Sequence, residues 1–204
     1  MNNYCLELLK NKNSEKFKKE KTKEVYDYLL KNVFKTTDFK VTNKHVKETF
    51  IILDKIYFNY KISKFIKNTN SSLSFKATSQ LSKTAGFCKY KYFLDGFGNF
   101  DYGIYEILIS KKIIDNIFSD KKTKALKING LHCYDRLECY INLYQHEITH
   151  LLIAIFCTKD GEGMGGHTRM FKELVYNLFG HTEYKHLLLV GDSLKMEEEE
   201  KNYK

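Results

Sequence analysis

No apolar run in this sequence approaches the ~18 residues that a bilayer-spanning helix requires. The opening stretch, "MNNYCLELLKNKNSEKF", is too poor in apolar residues for a secretory leader. The expectation is a soluble protein of the cell interior, cytoplasmic or nuclear and not secreted, with no membrane partner. Cysteine is sparse and badly placed for cross-linking. Cys5, Cys88, Cys133, Cys139 and Cys157 are odd in number and scattered, and no two form a C-x-x-C pair. This argues against a disulfide framework or a zinc ribbon and predicts free thiols in a reducing compartment. Proline is absent altogether. Asn, Lys, Ile and Tyr are abundant instead, the mark of a coding bias towards A and T, and part of the lysine content is discounted on that ground.

What is present suffices for a core. Hydrophobic residues make up 43% of the 204 positions, with fifteen Tyr and fifteen Phe, which rules out global disorder. The length suits one compact domain with an extension, or at most two small domains. The division expected is a basic helical extension over 1–40, a main domain over 41–190 and a charged, disordered tail over 191–204. Net charge is +9, and residues 1–70 hold 16 lysines against 8 carboxylates. A basic N-terminal third points to an acidic partner such as DNA. The candidate phosphate contacts are Lys16, Lys18, Lys19, Lys21 and Lys23, in a run that Glu20 interrupts and that also resembles a weak nuclear-localisation patch.

Segment 10–24 reads as exposed or mobile. Helical periodicity follows, with Val25, Tyr28, Leu29 and Val33 on one face, then Val46, Phe50, Leu53 and Tyr57 on another, the second helix capped by Asn43. From Ser71 the period shortens. Leu73, Phe75 and Ala77 alternate, and "TAGFCKYKYFL" and "FDYGIYEILIS" flank the turn cluster "DGFGN". Three short strands are expected, the last two a hairpin, and then a short helix in "SKKIIDNIF". The fold class is therefore α+β. A long helix begins at Asp135, which stands in capping-box spacing to Glu138. A final helix spans roughly 168–179 and stops at Gly180.

In the middle of the long helix lies "QHEITH", an H-E-x-x-H array. Residues four apart share a helix face, so His146 and His150 can bind one ion. Glu147, about 100° round, can reach a metal-bound water without being a ligand. The competing reading is a pair of hydrogen-bonded core histidines. The surrounding "LLIAIF" buries the helix, however, and a metal would satisfy both rings. A catalytic Zn²⁺ needs a third protein ligand. Ile153 and Phe156 stand where a metzincin has Gly and His, which excludes that class. His167 and Glu173 remain. Phe171, Leu174 and Leu178 form a packing stripe headed by His167, whereas Glu173 lies about 120° away, so His167 is the expected ligand. His181 and His186 are expected at the surface. Gly161, Gly163 and Gly166 spell G-x-G-x-x-G, but no strand precedes them; a bend is expected there and no nucleotide cofactor.

The succession of "F-x-x-x-D-x-x-YF" (Phe50 to Phe58), "KTAGFC" (Lys83 to Cys88), "YEILIS" (Tyr105 to Ser110), "HEITH" and "GGHTRMF" resembles the SprT-like zinc metallopeptidases, the family of Spartan-like proteases, over roughly residues 45–180. The resemblance implies a zincin-like minimal protease domain: a helical lead-in, a small sheet, an H-E-x-x-H helix and a following ligand-bearing helix. It implies one Zn²⁺ on His146, His150 and His167, with Glu147 as general base. Thr168-Arg169 stand where members often carry Gly-Pro, and no cysteine ribbon follows. The activity implied is cleavage of a protein substrate, including proteins bound or cross-linked to DNA. The expected mode of substrate binding is an extended strand added to the sheet edge. Arg169, Tyr176 and Tyr184 are positional candidates for a second oxyanion donor. The rival functions are a zinc-stabilised nucleic-acid-binding module without catalysis and a zinc hydrolase with a non-protein substrate.

Overall fold

The computed structural model of the chain describes residues 3–119, 123–157 and 166–184. Helices α1 (Asn3–Lys10) and α2 (Glu15–Leu29) open it. Most of the charged segment 10–24 is thus helical, not loose. Ser14 caps α2 by accepting a hydrogen bond from Phe17 N, and ion pairs three and four residues apart lace its surface. A π-turn, Leu30–Phe34, continues the helix. Its extra residue carries the inward stripe from Val25 and Leu29 to Phe34. Val33 is left half-buried and Tyr28 exposed, where a 3.6-residue period put both inside.

Helices α3 (Asn43–Phe58) and α4 (Lys61–Asn68) follow. Thr42, not Asn43, caps α3 by accepting from His45 N. Asn43 Oδ1 accepts from Ala77 N at 2.8 Å and pins the helix to the sheet. Buried Asp54 accepts from Ile62 N and Ser63 N, so a residue of α3 caps α4.

The three expected strands form one sheet: β1 (Ser72–Thr78), β2 (Gly86–Leu94) and β3 (Phe100–Ser110), in the order β1-β3-β2. β1 is parallel to β3, and β2 forms the expected antiparallel hairpin with it. This leaves β2 at an edge. The inner face packs on α3 and on the long helix further along the chain. After α5 (Lys111–Ile114) comes a second hairpin, β4 (Leu126–Ile128) and β5 (Leu131–Cys133). Hydrophobic periodicity does not announce so short a pair. Its turn, Asn129-Gly130, does, since both residues take positive φ (53° and 86°) as a two-residue hairpin turn demands.

Helix α6 (Arg136–Leu152) is the axis of the molecule. Asp135 caps it by accepting from Glu138 N at 2.8 Å, and Glu138 accepts from Tyr134 N in return. Only Glu138 and His150 of its seventeen residues escape full burial, so a helix expected to bury one broad face buries nearly all of its surface. Two of its polar side chains tie it to other elements: Arg136 donates to the Ile117 and Phe39 carbonyls and pairs with Asp38, and Gln145 Nε2 donates to Thr22 Oγ1. A π-turn, Ile153–Cys157, ends it. Helix α7 (Arg169–Phe179) is capped by Thr168 and stopped by Gly180 at φ 82°, as expected. The tail 191–204, His186, Gly161 and Gly163 lie outside the described residues.

α1 and α2 contribute Cys5, Leu8, Val25 and Leu29 to the same buried cluster as α6 and α7. One expectation is corrected outright: Cys5 and Cys157 form a disulfide across 152 positions. Only Cys88, Cys133 and Cys139 are free thiols, all buried. The reducing compartment therefore loses the support that five free thiols gave it. Among the described residues, no helix is long and apolar enough to cross a membrane.

Candidate metal centre

Burial of α6 fixes its rotation and with it the direction of three side chains within little more than one turn. His146 (1% exposed) and Glu147 (2%) are buried, and His150 is half-buried. The segment leading into α7 then supplies the third ring. Thr168 caps it by accepting from Phe171 N, so His167 sits just before the helix, and the stripe Phe171, Leu174 and Leu178 is buried as the packing argument required. His146 Nε2 lies 3.3 Å from His150 Nε2 and 3.0 Å from His167 Nε2. One ligand atom from each ring falls within 4.8 Å of the others. The Phe171 ring forms a shelf for the cluster, stacked on His150 at 4.3 Å and 4.7 and 5.0 Å from the other two ring centres.

This donor set fits zinc. Neutral imidazole nitrogen is a common zinc ligand, and bonds of about 2.0–2.1 Å in tetrahedral geometry separate two ligand nitrogens by roughly 3.3 Å. Glu173, the rival third ligand, pairs with Arg169 at 2.8 Å instead.

The histidines and Glu147 line a cleft of ≈ 670 Å³ whose other wall is Thr84 and the start of β2: Gly86, Phe87, Cys88, Lys89 and Tyr90. At Gly86 this wall meets the glutamate. A Cβ built there would stand 2.7 Å from Glu147 Cγ and from Oε1, so the glutamate lies flat against backbone that only glycine leaves bare. Cys88 is next along the strand. Burial, and then the Glu147 carboxylate, raises its thiol pKa well above the ordinary value, which disfavours a thiolate there. Both residues fall within "KTAGFC". Their part in holding Glu147 could have been sought there but is invisible without the pairing of β2 with α6.

The remaining site expectations divide. Tyr184 stands beside the cluster, its ring 6.4 Å from His167 and 6.3 Å from Phe171. Arg169 is solvent-exposed in its pair with Glu173, and Tyr176 lies under the Lys18 ammonium at 4.1 Å, so neither joins the cleft. His181 is not a surface residue: it is fully buried, with Nε2 3.2 Å from Gln145 Oε1. Among the lysines of α2, Lys18 departs from expectation. Lys18 is 3% exposed and paired with Glu15 at 2.7 Å, which withdraws it from any phosphate. Lys16, Lys21 and Lys23 pair with Glu20, Glu24 and Asp27, while Lys19 is exposed. No family model, curated protein or solved structure matches the chain.

Proposed function

We propose that the chain is a zinc-dependent endopeptidase of the SprT-like, zincin-like class, acting on proteins held on or cross-linked to DNA. The observation that carries this reading is the convergence of His146, His150 and His167 at 3.0–3.3 Å with Glu147 in the same cleft. His146, His150 and His167 would hold the ion. When bound, zinc supplies Lewis acidity towards a carbonyl and a water of lowered pKa.

The protein's own groups do the rest. The Glu147 carboxylate, pressed on Gly86, takes a proton from the attacking water and delivers it to the nitrogen of the departing amine. β2 offers the substrate a template. Among the described residues, no strand pairs with its outer edge, and the first residues of that edge line the cleft. An extended peptide can add there by main-chain hydrogen bonds, which sets its scissile bond across the histidines. Phe87, half-exposed on this wall, gives the substrate an apolar surface.

The test is cleavage of a DNA-binding protein, with and without DNA, by wild type and Glu147→Gln, with zinc content measured in both. The expected result is zinc in both proteins and a loss of rate in the variant on the order of 10²–10⁴-fold. Zinc in both with cleavage by neither would leave a metal-stabilised binding module and end the peptidase reading.

A further inference from the structure

The positive charge of this chain does not reside on α2. That helix holds five lysines against four carboxylates, and four of the five are paired with acids. The excess lies at one end of the sheet, where three hydrogen-bonded seams gather distant segments. Asn43 Oδ1 accepts from Ala77 N and joins the start of α3 to the end of β1. Ser110 donates through its N to Ala85 O and through Oγ to Leu81 O, tying the β1–β2 connection to the start of α5. Asp115 Oδ1 accepts from Val41 N and closes the ring.

The segments so joined are 40–48, 76–85 and 110–115. They carry Lys40, Lys44 and Lys47; Lys76 and Lys83; and Lys111 and Lys112. Against these seven stand two carboxylates, Glu48 and Asp115, leaving a net of +5 out of the chain's +9. Among the described residues, none of the seven lysines makes an ion pair. The surface also adjoins the metal cleft, because Thr84 and Gly86, at the end of the same connection, line it.

The chemistry of the patch selects its partner. No exposed large hydrophobic side chain belongs to these three segments, so they lack the apolar anchor that a membrane surface or a protein hot spot requires. No aromatic ring is presented for base stacking either. All seven cations are lysines, compact point charges without the bidentate fork that reads a base edge. A regular polyanion suits them. We propose that this sheet-end surface, and not α2, binds the phosphate backbone of double-stranded nucleic acid without reading its sequence, and so sets the polymer beside the metal cleft.

The inference stands on charge and position and is independent of the peptidase reading, so its test needs no turnover. Binding of the full chain to a short, labelled, mixed-sequence DNA duplex is followed by anisotropy between about 50 and 200 mM salt. Two triple variants change the net charge equally: Lys83→Glu/Lys111→Glu/Lys112→Glu at the sheet end, and Lys16→Glu/Lys19→Glu/Lys23→Glu on α2. The sheet-end variant is expected to bind at least ~10-fold more weakly, with a slope of log K on log salt shallower by about 3. The α2 variant is expected to stay within about threefold of wild type. Equal losses, or a larger loss from α2, would overturn the assignment. So would wild type that binds phosphatidylserine vesicles but no duplex, or neither. Circular dichroism checks the fold, and the Lys→Gln triples replace any reversal variant that fails to fold, with the same ranking expected.

Discussion

At Gly86 the fold and the chemistry share one atom's width. The backbone there is not in the left-handed region, so alanine is conformationally permitted, and the whole effect of Gly86→Ala falls on Glu147, whose Oε1 lies 2.7 Å from the would-be methyl. A displacement of about 1 Å at a catalytic group can lower rate ~10²-fold. Gly86→Ala is therefore expected to keep its zinc and its melting temperature while losing cleavage on that order. Activity within a factor of two of wild type would show that Glu147 has room to move. The third ligand can be tested by a pair. His167→Ala is expected to weaken zinc binding by more than the ~10–100-fold typical of losing an outer partner. Glu173→Gln, which severs only a pair with Arg169, should leave affinity unchanged. A competition titration with a chromophoric chelator decides it, and equal losses in the two variants would return the ligand question to Glu173. At this scale the sequence was most legible for the histidines and Glu147, because helix periodicity fixes which side chains share a face. It was silent on Gly86 and Cys88, whose roles arise only when a strand meets a helix.

Among the elements, α6 shows both how much periodicity and capping reveal and where they stop. Its start at Asp135, its partner helix α7 and the stop at Gly180 all follow local rules. The failures are equally local in cause. The π-turn Leu30–Phe34 adds a residue and rotates the apolar stripe. Thr42 displaces Asn43 as cap because Asn43 is engaged by Ala77 across the fold. His181 is buried by a partner, Gln145, thirty-six positions away. Asp135 itself does more than cap, since its other carboxylate oxygen accepts the Tyr26 hydroxyl at 2.6 Å and links α6 to α2. Asp135→Ala removes both contacts, so a loss of about 1.5–3 kcal/mol is expected, a cap at ~1 plus a charged hydrogen bond at ~1.5. Urea unfolding measures it. A loss below ~0.5 kcal/mol, the ordinary range of surface substitutions, would mean that neither contact matters.

On the scale of the whole molecule, α1 binds the two ends of the chain's architecture together. Cys5 is covalently joined to Cys157, the last residue of the π-turn that ends the H-E-x-x-H helix. Tyr4 packs edge-on against Phe156 at 5.0 Å, and Asn177 of α7 donates to Leu9 O at 3.2 Å. An eight-residue helix has little stability alone, so this covalent and packed contact is what retains α1. Five scattered cysteines could not disclose the bridge, because nothing in their spacing says which pair the core will bring together. Chain-entropy arguments assign about 5 kcal/mol to closing a loop of this length, within the ~2–5 kcal/mol lost when native bridges are removed. For a chain of this size the expected fall in Tm is on the order of 10 °C. Cys5→Ser/Cys157→Ser should show that fall and then be indifferent to reductant. Wild type, reduced under mild denaturant and returned to buffer with reductant, should melt where the double variant does. The decisive comparison is wild type with and without reductant. Coincident melts, with Cys5 and Cys157 both proved alkylated in the reduced sample, would mean that packing alone holds α1 against α7 and that the bridge adds no stability.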